Sequence, residues 1–161
     1  MWTAKKEAQT WEQLLYVTGG KLELKKCFYY LMSWKFDIEG TPHLRTKDEM
    51  QDCKIRLEDT QSGTIQQVKQ LDCTESHRTL GVWPAPSGAT DTQFDVLLAK
   101  SDGFARIIRT NRLPRILVET AYWMLYLPMM VYPLVATFLS WEQLHKVEGN
   151  AIAAILSASG Y

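Results

Sequence analysis

The hydrophobic pattern of the chain changes at residues 78–86, and this change limits the fold more than any other feature. Before it, short runs of alternating apolar and polar residues are separated by Gly and Pro. After it, apolar residues recur at the three- and four-residue spacing of helices. Pro84 and Pro86 interrupt regular structure at the change itself. The pattern therefore predicts an α+β fold in two parts, residues 1–86 and residues 87–161.

The first part is predicted to be one helix followed by a small antiparallel β region. The helix covers residues 3–18 and ends at two glycines, Gly19 and Gly20. Opposite parity of Ile65 and Val68 indicates a bulge or a change of register between them. The predicted strands are residues 27–32, 34–39, 43–46, 54–58 and 64–71. The side chains expected to face the core are Trp11, Leu14 and Leu15 in the helix, and Trp34, Phe36 and Ile38 in the clearest strand.

The second part is predicted to be a bundle of three helices. Thr90 with Gln93, and Ser140 with Gln143, have the spacing of capping boxes that begin helices. Pro114 suits the first turn of the middle helix, which continues beyond Pro128 with a kink. The inner face of the first of these helices is predicted to be Phe94, Leu97, Leu98, Ser101, Ala105 and Ile108.

Residues 78–83, Arg-Thr-Leu-Gly-Val-Trp, form a predicted short strand between the two parts. A glycine inside a strand often marks the close approach of another backbone. Gly81 therefore makes this segment a candidate contact site for a ligand backbone.

Charge is balanced overall but concentrated locally. Eighteen basic and eighteen acidic residues cancel, so no global field attracts an anionic partner. Residues 100–115, however, contain five cations and one acid, a local net charge of +4. Such a cluster is either an ordinary solvated helix face or a surface that contacts phosphates.

Other chemistry is weakly represented. The three cysteines include no Cys-x-x-Cys pair, which argues against a disulfide scaffold and for a reducing, intracellular compartment. Cys73 and His77 have an allowed metal-ligand spacing, but Cys53 stands alone, so a zinc site is disfavoured. No nucleophile motif, phosphate-cradling loop or Asp-Asp pair is present, and we predict no catalytic residue, no metal ligand and no cofactor in this chain.

Residues 120–139 contain no formal charge and are long enough to span a bilayer. Pro128, Pro133 and three tyrosines within this stretch favour a buried, kinked helix instead. The alternative is a small membrane-attached or partner-binding protein anchored by this stretch. A scaffold domain without nucleic-acid affinity is a third possibility.

Several short motifs occur in an order that resembles the back half of a reverse transcriptase of the non-LTR retrotransposon type. They are Gly-Gly-x-Leu-x-Leu-x-Lys-Cys at residues 19–27, Trp-x-Phe at residues 34–36 and Thr-Leu-Gly-Val at residues 79–82, followed by a helical tail. Lys25 occupies a position where the family usually has Asn. The resemblance implies the end of a polymerase palm followed by a thumb-like three-helix bundle.

The resemblance also implies roles for individual residues. Leu80 and Gly81 match the primer grip, which positions the 3′ end of the primer, and Lys26 matches a lysine near the phosphates of the incoming nucleotide. The basic cluster falls where a thumb contacts duplex phosphates; its expected contacts are Arg106, Arg109, Arg112 and Arg115. The partner would be an RNA–DNA or DNA duplex.

The catalytic aspartates, which would hold Mg²⁺ in the complete polymerase, have no counterpart and are expected upstream, in the missing palm and fingers regions. The chain is therefore predicted to be a fragment of an RNA-directed DNA polymerase that is inactive alone.

Overall fold

The computed structural model describes residues 2–50 and 54–160, and it contains both helices and strands, as expected for an α+β fold. The chain divides into two compact units, Met1–Glu75 and Ser76–Tyr161. Residues 78–86 therefore belong to the helical unit.

The N-terminal unit begins with helix α1, Trp2–Val17, which ends as predicted. Gly19 adopts a φ of 83°, and the N–H of Gly20 donates to the carbonyl of Leu15 at 2.8 Å. This left-handed glycine termination satisfies carbonyls that the helix end would otherwise leave unpaired. Within residues 2–50 and 54–75, six three-residue strands follow. They are β1 (Phe28–Tyr30), β2 (Trp34–Phe36), β3 (Pro42–Leu44), β4 (Arg56–Glu58), β5 (Ile65–Gln67) and β6 (Lys69–Leu71).

The strands form three two-stranded sheets within the described residues. β2 pairs with β3 and β4 pairs with β5, both antiparallel, as predicted. β1 pairs with β6 in parallel, so the prediction of a purely antiparallel region is wrong for this pair. A parallel pair needs a long connection between its strands. Here the other four strands lie within that connection.

The predicted change of register between Ile65 and Val68 is confirmed. β5 ends at Gln67, β6 begins at Lys69, and Val68 lies buried between them. The N–H of Val68 donates to the carbonyl of Ile55 at 2.9 Å. Its side chain joins Leu24 and Leu57 in the small core of this unit, so one chain segment serves two sheets.

The predicted inner face of α1 is wrong. Gln9 and Glu12 face the strands, whereas Trp11 is 65% exposed. The Gln9 side chain makes two hydrogen bonds with the backbone of Glu58, at 2.8 and 2.9 Å, and buried Glu12 accepts the N–H of Thr60 at 3.1 Å. Backbone groups at a strand edge need polar partners, which apolar side chains cannot supply.

The predicted inward face of β2 is also exposed. Trp34, Phe36 and Ile38 are all open to solvent. The core of Leu24, Leu57 and Val68 is too small to cover a second hairpin, because little surface is buried in so short a stretch of chain. The alternation therefore predicted the strand correctly and its environment wrongly.

The C-terminal unit contains the predicted helices: α2 (Asp91–Asn111), α3 (Arg115–Ala121), α4 (Leu127–Leu134) and α5 (Trp141–Ser159). A π-helical turn, Tyr122–Tyr126, joins α3 to α4, so residues 115–134 are one continuous helix. It passes Pro128 as predicted. The π turn ends two residues before this proline, which lacks the N–H that a regular helix would use there. The core contains Leu97, Phe104, Ala105, Ile108, Val118, Tyr126, Met130, Val147, Ala151 and Ala154.

One of the two predicted capping boxes is confirmed and the other is wrong. Ser140 and Gln143 form the predicted capping box of α5. The box at Thr90 is wrong because Gln93 is buried and accepts the backbone N–H of Trp83 at 2.8 Å. The predicted inner face of α2 is buried or partly buried. None of the described helices is both long and apolar enough to cross a bilayer.

The reversed face of α1 yields a test by paired substitutions. Glu12→Ala should lower the free energy of unfolding by about 1–3 kcal/mol, because it leaves groups at Thr60 without their acceptor. Trp11→Ala should cost less than about 1 kcal/mol, whereas a truly buried Trp would cost about 3–5 kcal/mol. Urea unfolding of both variants measures this, and a larger loss for Trp11→Ala would contradict the structure.

Candidate nucleic-acid interface

The predicted strand at residues 78–83 is wrong, since the segment forms a tight turn instead. Thr79 and Val82 exchange two backbone hydrogen bonds of 2.7 and 3.0 Å, and the residues between them, Leu80 and Gly81, have φ values of 51° and 88°. Two central residues with positive φ are the pattern of a type I′ turn. Gly81 adopts this conformation readily, so the chain reverses where an extended strand was expected.

Tyr132 contacts both central residues of this turn. Its hydroxyl donates to the carbonyl of Leu80 at 2.9 Å, and its ring lies 3.8 Å from the point where a Cβ on Gly81 would stand. The Leu80 side chain itself is 86% exposed. The turn therefore presents one apolar side chain on an anchored backbone. Positive φ, rather than close approach of another backbone, accounts for the glycine.

Four arginines form the second candidate feature, here called the arginine surface. It consists of Arg106 and Arg109 on α2, Arg112 at the C-terminal end of α2, and Arg115 at the start of α3. The three-residue spacing places Arg106 and Arg109 on one flank of α2. The short connection to α3 keeps the other two nearby. All four side chains are exposed.

Two of these arginines have defined partners. Arg109 donates to the carbonyl of Asn150 on α5 at 3.2 Å, and the side chain of Asn150 donates to Asp102 at 2.9 Å. Arg115 forms an ion pair with Glu119, with 2.7 Å between Nε and Oε1. Asn150 thus links α5 to α2 at two points and fixes Arg109, while Glu119 partly neutralises Arg115.

The turn and the arginine surface lie at different ends of α2. The hydrogen bond between Gln93 and Trp83 places the turn segment beside the first turn of this helix. Arg106 follows Gln93 by thirteen residues, which is about 20 Å along a helix axis. A duplex that contacts both features would have to cover about six base steps at about 3.4 Å each.

The remaining predicted residues lie elsewhere. Lys26 is exposed at the end of a short 3₁₀ helix, Leu24–Lys26, in the N-terminal unit. Cys53 lies outside the described residues. The thiol of Cys73 donates to the carbonyl of Leu31 at 3.4 Å, and its burial raises its pKa. Within residues 2–50 and 54–160, no group of three or more His, Cys, Asp or Glu side chains is placed to hold a metal ion.

Two residues with structural roles at these features were not expected from the sequence, Tyr132 and Asn150. Each acts on a partner more than forty residues away, so no local pattern indicates them.

Comparison of the chain with protein-family models, curated proteins and solved structures finds no match. The resemblance to reverse transcriptases therefore remains a prediction based on motif order.

From the positive φ values of the turn, we expect substitutions at its two central residues to change the free energy of unfolding in opposite directions. Leu80→Asn should raise the free energy of unfolding by about 1 kcal/mol, because Asn tolerates positive φ better than Leu. Gly81→Ala should lower it by about 1 kcal/mol. Thermal and urea unfolding measure both variants. A loss of stability in Leu80→Asn would mean that the turn does not have this geometry in solution.

Proposed function

We propose that the chain is part of a retroelement reverse transcriptase, and that its helical unit contacts a primer–template duplex as a thumb-like bundle. The arginine surface carries this proposal. Residues 106–115 contain four arginines and no acid, in a chain whose formal charges cancel overall. The order of motifs along the chain supplies the family.

The arginine surface suits phosphate better than it suits a protein carboxylate network. The four side chains are exposed, so binding would require little desolvation of their charges. Guanidinium groups offer paired donors that match phosphate oxygens. Since α2 has a rise of about 1.5 Å per residue, Arg106 and Arg109 stand about 5 Å apart along its axis, close enough to serve neighbouring phosphates.

Contacts of this kind are expected to be independent of base sequence. Phosphate contacts position a protein on a duplex, and base-edge contacts in the grooves provide sequence reading. A polymerase that copies any template needs the first kind. The predicted partner is therefore a duplex recognised through its backbone, either RNA–DNA or DNA.

The order of motifs supports primer-grip roles for Leu80 and Gly81 and a phosphate contact for Lys26. The turn offers an anchored, exposed Leu80, which suits apolar contact with a sugar or base at the end of a primer. Gly81 supplies the backbone conformation that presents it. Lys26 is exposed and available to a phosphate. Nucleotide addition itself would need the upstream palm and fingers regions.

A salt titration tests the arginine surface. Four phosphate contacts predict that log K for an RNA–DNA hybrid falls with log salt at a slope of about −3 to −4. The double variant Arg106→Ala with Arg109→Ala should flatten this slope by about two and weaken binding equally for all sequences. Fluorescence anisotropy of a labelled hybrid measures both.

A matched control keeps the charge but changes the turn. Gly81→Val should weaken binding of the hybrid, because valine does not readily adopt the positive φ of the turn that presents Leu80. It should leave the salt slope unchanged, because it removes no cation. An unchanged slope in the double arginine variant would show that the surface is only a solvated helix face, and the nucleic-acid proposal would then lose its physical support.

A second candidate function is self-association through the outer side of the continuous helix. Its buried side carries Val118, Tyr126, Met130 and Pro133. Other apolar side chains of this helix are at least half exposed and are here called the apolar strip, so the expectation of a fully packed central helix is only half met. The strip consists of Ile116, Leu117, Trp123, Met124, Leu125, Val131 and Tyr132.

A second copy of this chain is the proposed occupant of that strip. Trp123 and Met124 are 66% and 70% exposed, and Val135, Phe138 and Trp141, which follow along the chain, are exposed as well. Aromatic side chains bury about 150–250 Å² each, so this area is on the order of the 800 Å² per partner that a stable interface needs. No formal charge lies between residues 120 and 139 to repel an identical face.

Sedimentation velocity over a concentration series tests self-association. The wild type should form dimers, and the double variant Trp123→Ser with Met124→Ser should shift the dimer dissociation constant upward by at least tenfold, a loss of about 1.4 kcal/mol. Ile107→Ser, an exposed change on α2 outside the strip, should leave it unchanged. A wild type that stays monomeric but floats with lipid vesicles would replace the second copy with a membrane surface.

A further inference from the structure

A groove of about 360 Å³ lies between α2 and α5 beside two members of the arginine surface. Arg109 and Arg112 stand on its wall, and Ser157 adds a hydroxyl. Its apolar residues are Ile108, Leu113, Ala154 and Ala158. Ile108 and Ala154 are buried at its base, so Leu113 and Ala158 provide the accessible apolar surface. The volume falls within the range of about 300–1,000 Å³ that is usual for small-molecule sites.

We propose that this groove binds a single unpaired nucleotide unit, with its phosphate on Arg109 and Arg112 and its sugar and base over the apolar lining. The proposal rests on the proposed function, because it names the part of a nucleic acid that these two arginines hold. The unit is either a free nucleotide or the unpaired end of a strand.

Arg109 is held in position before any ligand binds. One of its terminal nitrogens donates to the carbonyl of Asn150, while the guanidinium has five N–H donors in all. The bond to Asn150 limits the rotamers of the long side chain and leaves other donors for a phosphate. Preorganisation of this kind reduces the entropy lost on binding.

Arg112 occupies a backbone conformation that favours glycine. It follows the last residue of α2 with φ 43° and ψ 48°, the left-handed conformation at which helices usually end in Gly. Residues held in sparsely populated backbone conformations are enriched at ligand clamps. At Arg112 this backbone conformation coincides with a charged side chain on the wall of the groove. The conformation therefore fits a role in holding a ligand phosphate.

The competing explanation is that the arginines only neutralise helix ends. The C-terminal ends of α2 and α5 lie near the groove, and each carries about half a negative charge, while the start of α3 contributes about half a positive charge. Two full guanidinium charges exceed this sum. The groove therefore keeps a positive potential that remains available to an anion.

The lining also restricts the class of ligand. Apart from the two arginines, Ser157 is the polar side chain among the residues that line the groove. A single hydroxyl cannot distinguish the four bases by their hydrogen-bonding edges. Apolar contact to one face of a base requires that base to be unstacked from its neighbours. The groove therefore suits any nucleotide, provided that it is unpaired.

Two variants separate the groove from the arginine surface. Ser157→Phe fills the groove and removes no charge, so it should weaken binding of adenosine 5′-monophosphate and of a hybrid with a single-stranded overhang by at least tenfold, while a blunt hybrid keeps its affinity and salt slope. Leu156→Phe is the matched control, since Leu156 is exposed on the same helix but does not line the groove. If Ser157→Phe does not fold, Ser157→Asp places a negative charge there instead.

Arg112→Gly should raise the melting temperature, because glycine relieves the left-handed backbone, and should weaken adenosine 5′-monophosphate binding by at least tenfold. Calorimetric titration and thermal unfolding measure the two effects. A lower melting temperature, or equal nucleotide binding in Ser157→Phe and wild type, would overturn the groove proposal. Nucleotide binding without any affinity for a blunt hybrid would instead support the groove and contradict the duplex function.

Discussion

Close packing of α2 against α5 is the contact on which the helical unit depends. Small residues, Ala105 on α2 and Ala151 and Ala154 on α5, are almost fully buried and allow the two helices to approach closely. Buried Ser101 donates to the carbonyl of Val147 and accepts the hydroxyl of Tyr126 at 3.2 Å. Burial raises the pKa of Tyr126, so this hydroxyl stays protonated as a donor. The same two helices then place Arg109 and Arg112 around one groove.

The two units differ in the size of their hydrophobic cores and in their reliance on polar contacts. The helical unit has an extended core, whereas the N-terminal unit relies on a small core and on polar contacts such as those of Gln9 and Glu12 with strand-edge backbone. Trp11, Trp34 and Phe36 consequently remain exposed. Exposed apolar patches of this kind mark interaction surfaces in many proteins. Residence beside the palm and fingers of a polymerase, as we propose, would cover such surfaces.

Two members of the arginine surface also have a structural role. Arg109 ties α5 to α2 through Asn150, and Arg115 stabilises the start of α3 through Glu119. Within residues 2–50 and 54–160, Arg106 and Arg112 have no comparable side-chain partner. Exposed ion pairs contribute little to stability, on the order of 0–1 kcal/mol, so phosphate can compete for these guanidinium groups.

The sequence by itself determined the local structure of much of this chain. Helix ends at Gly19 and Ser140, the break near Val68 and the buried face of α2 all follow from side-chain chemistry within a few residues. The four arginines are close together in the sequence, since they lie within ten residues of one another. Such features depend on the spacing of neighbours, which the sequence states directly.

Tertiary structure alone decided which faces are covered and how the distant groups meet. Trp11 and Trp34 fit an inner face by periodicity, but periodicity does not say whether enough core exists to cover that face. Gln93 matched a capping pattern, yet its side chain instead accepts a hydrogen bond from the backbone N–H of Trp83, ten residues earlier. Leu80 and Gly81 turn instead of extending, with Tyr132 beneath them. In each case a partner that is distant in the chain satisfies a backbone group or leaves an apolar face open, and no local pattern encodes that partner.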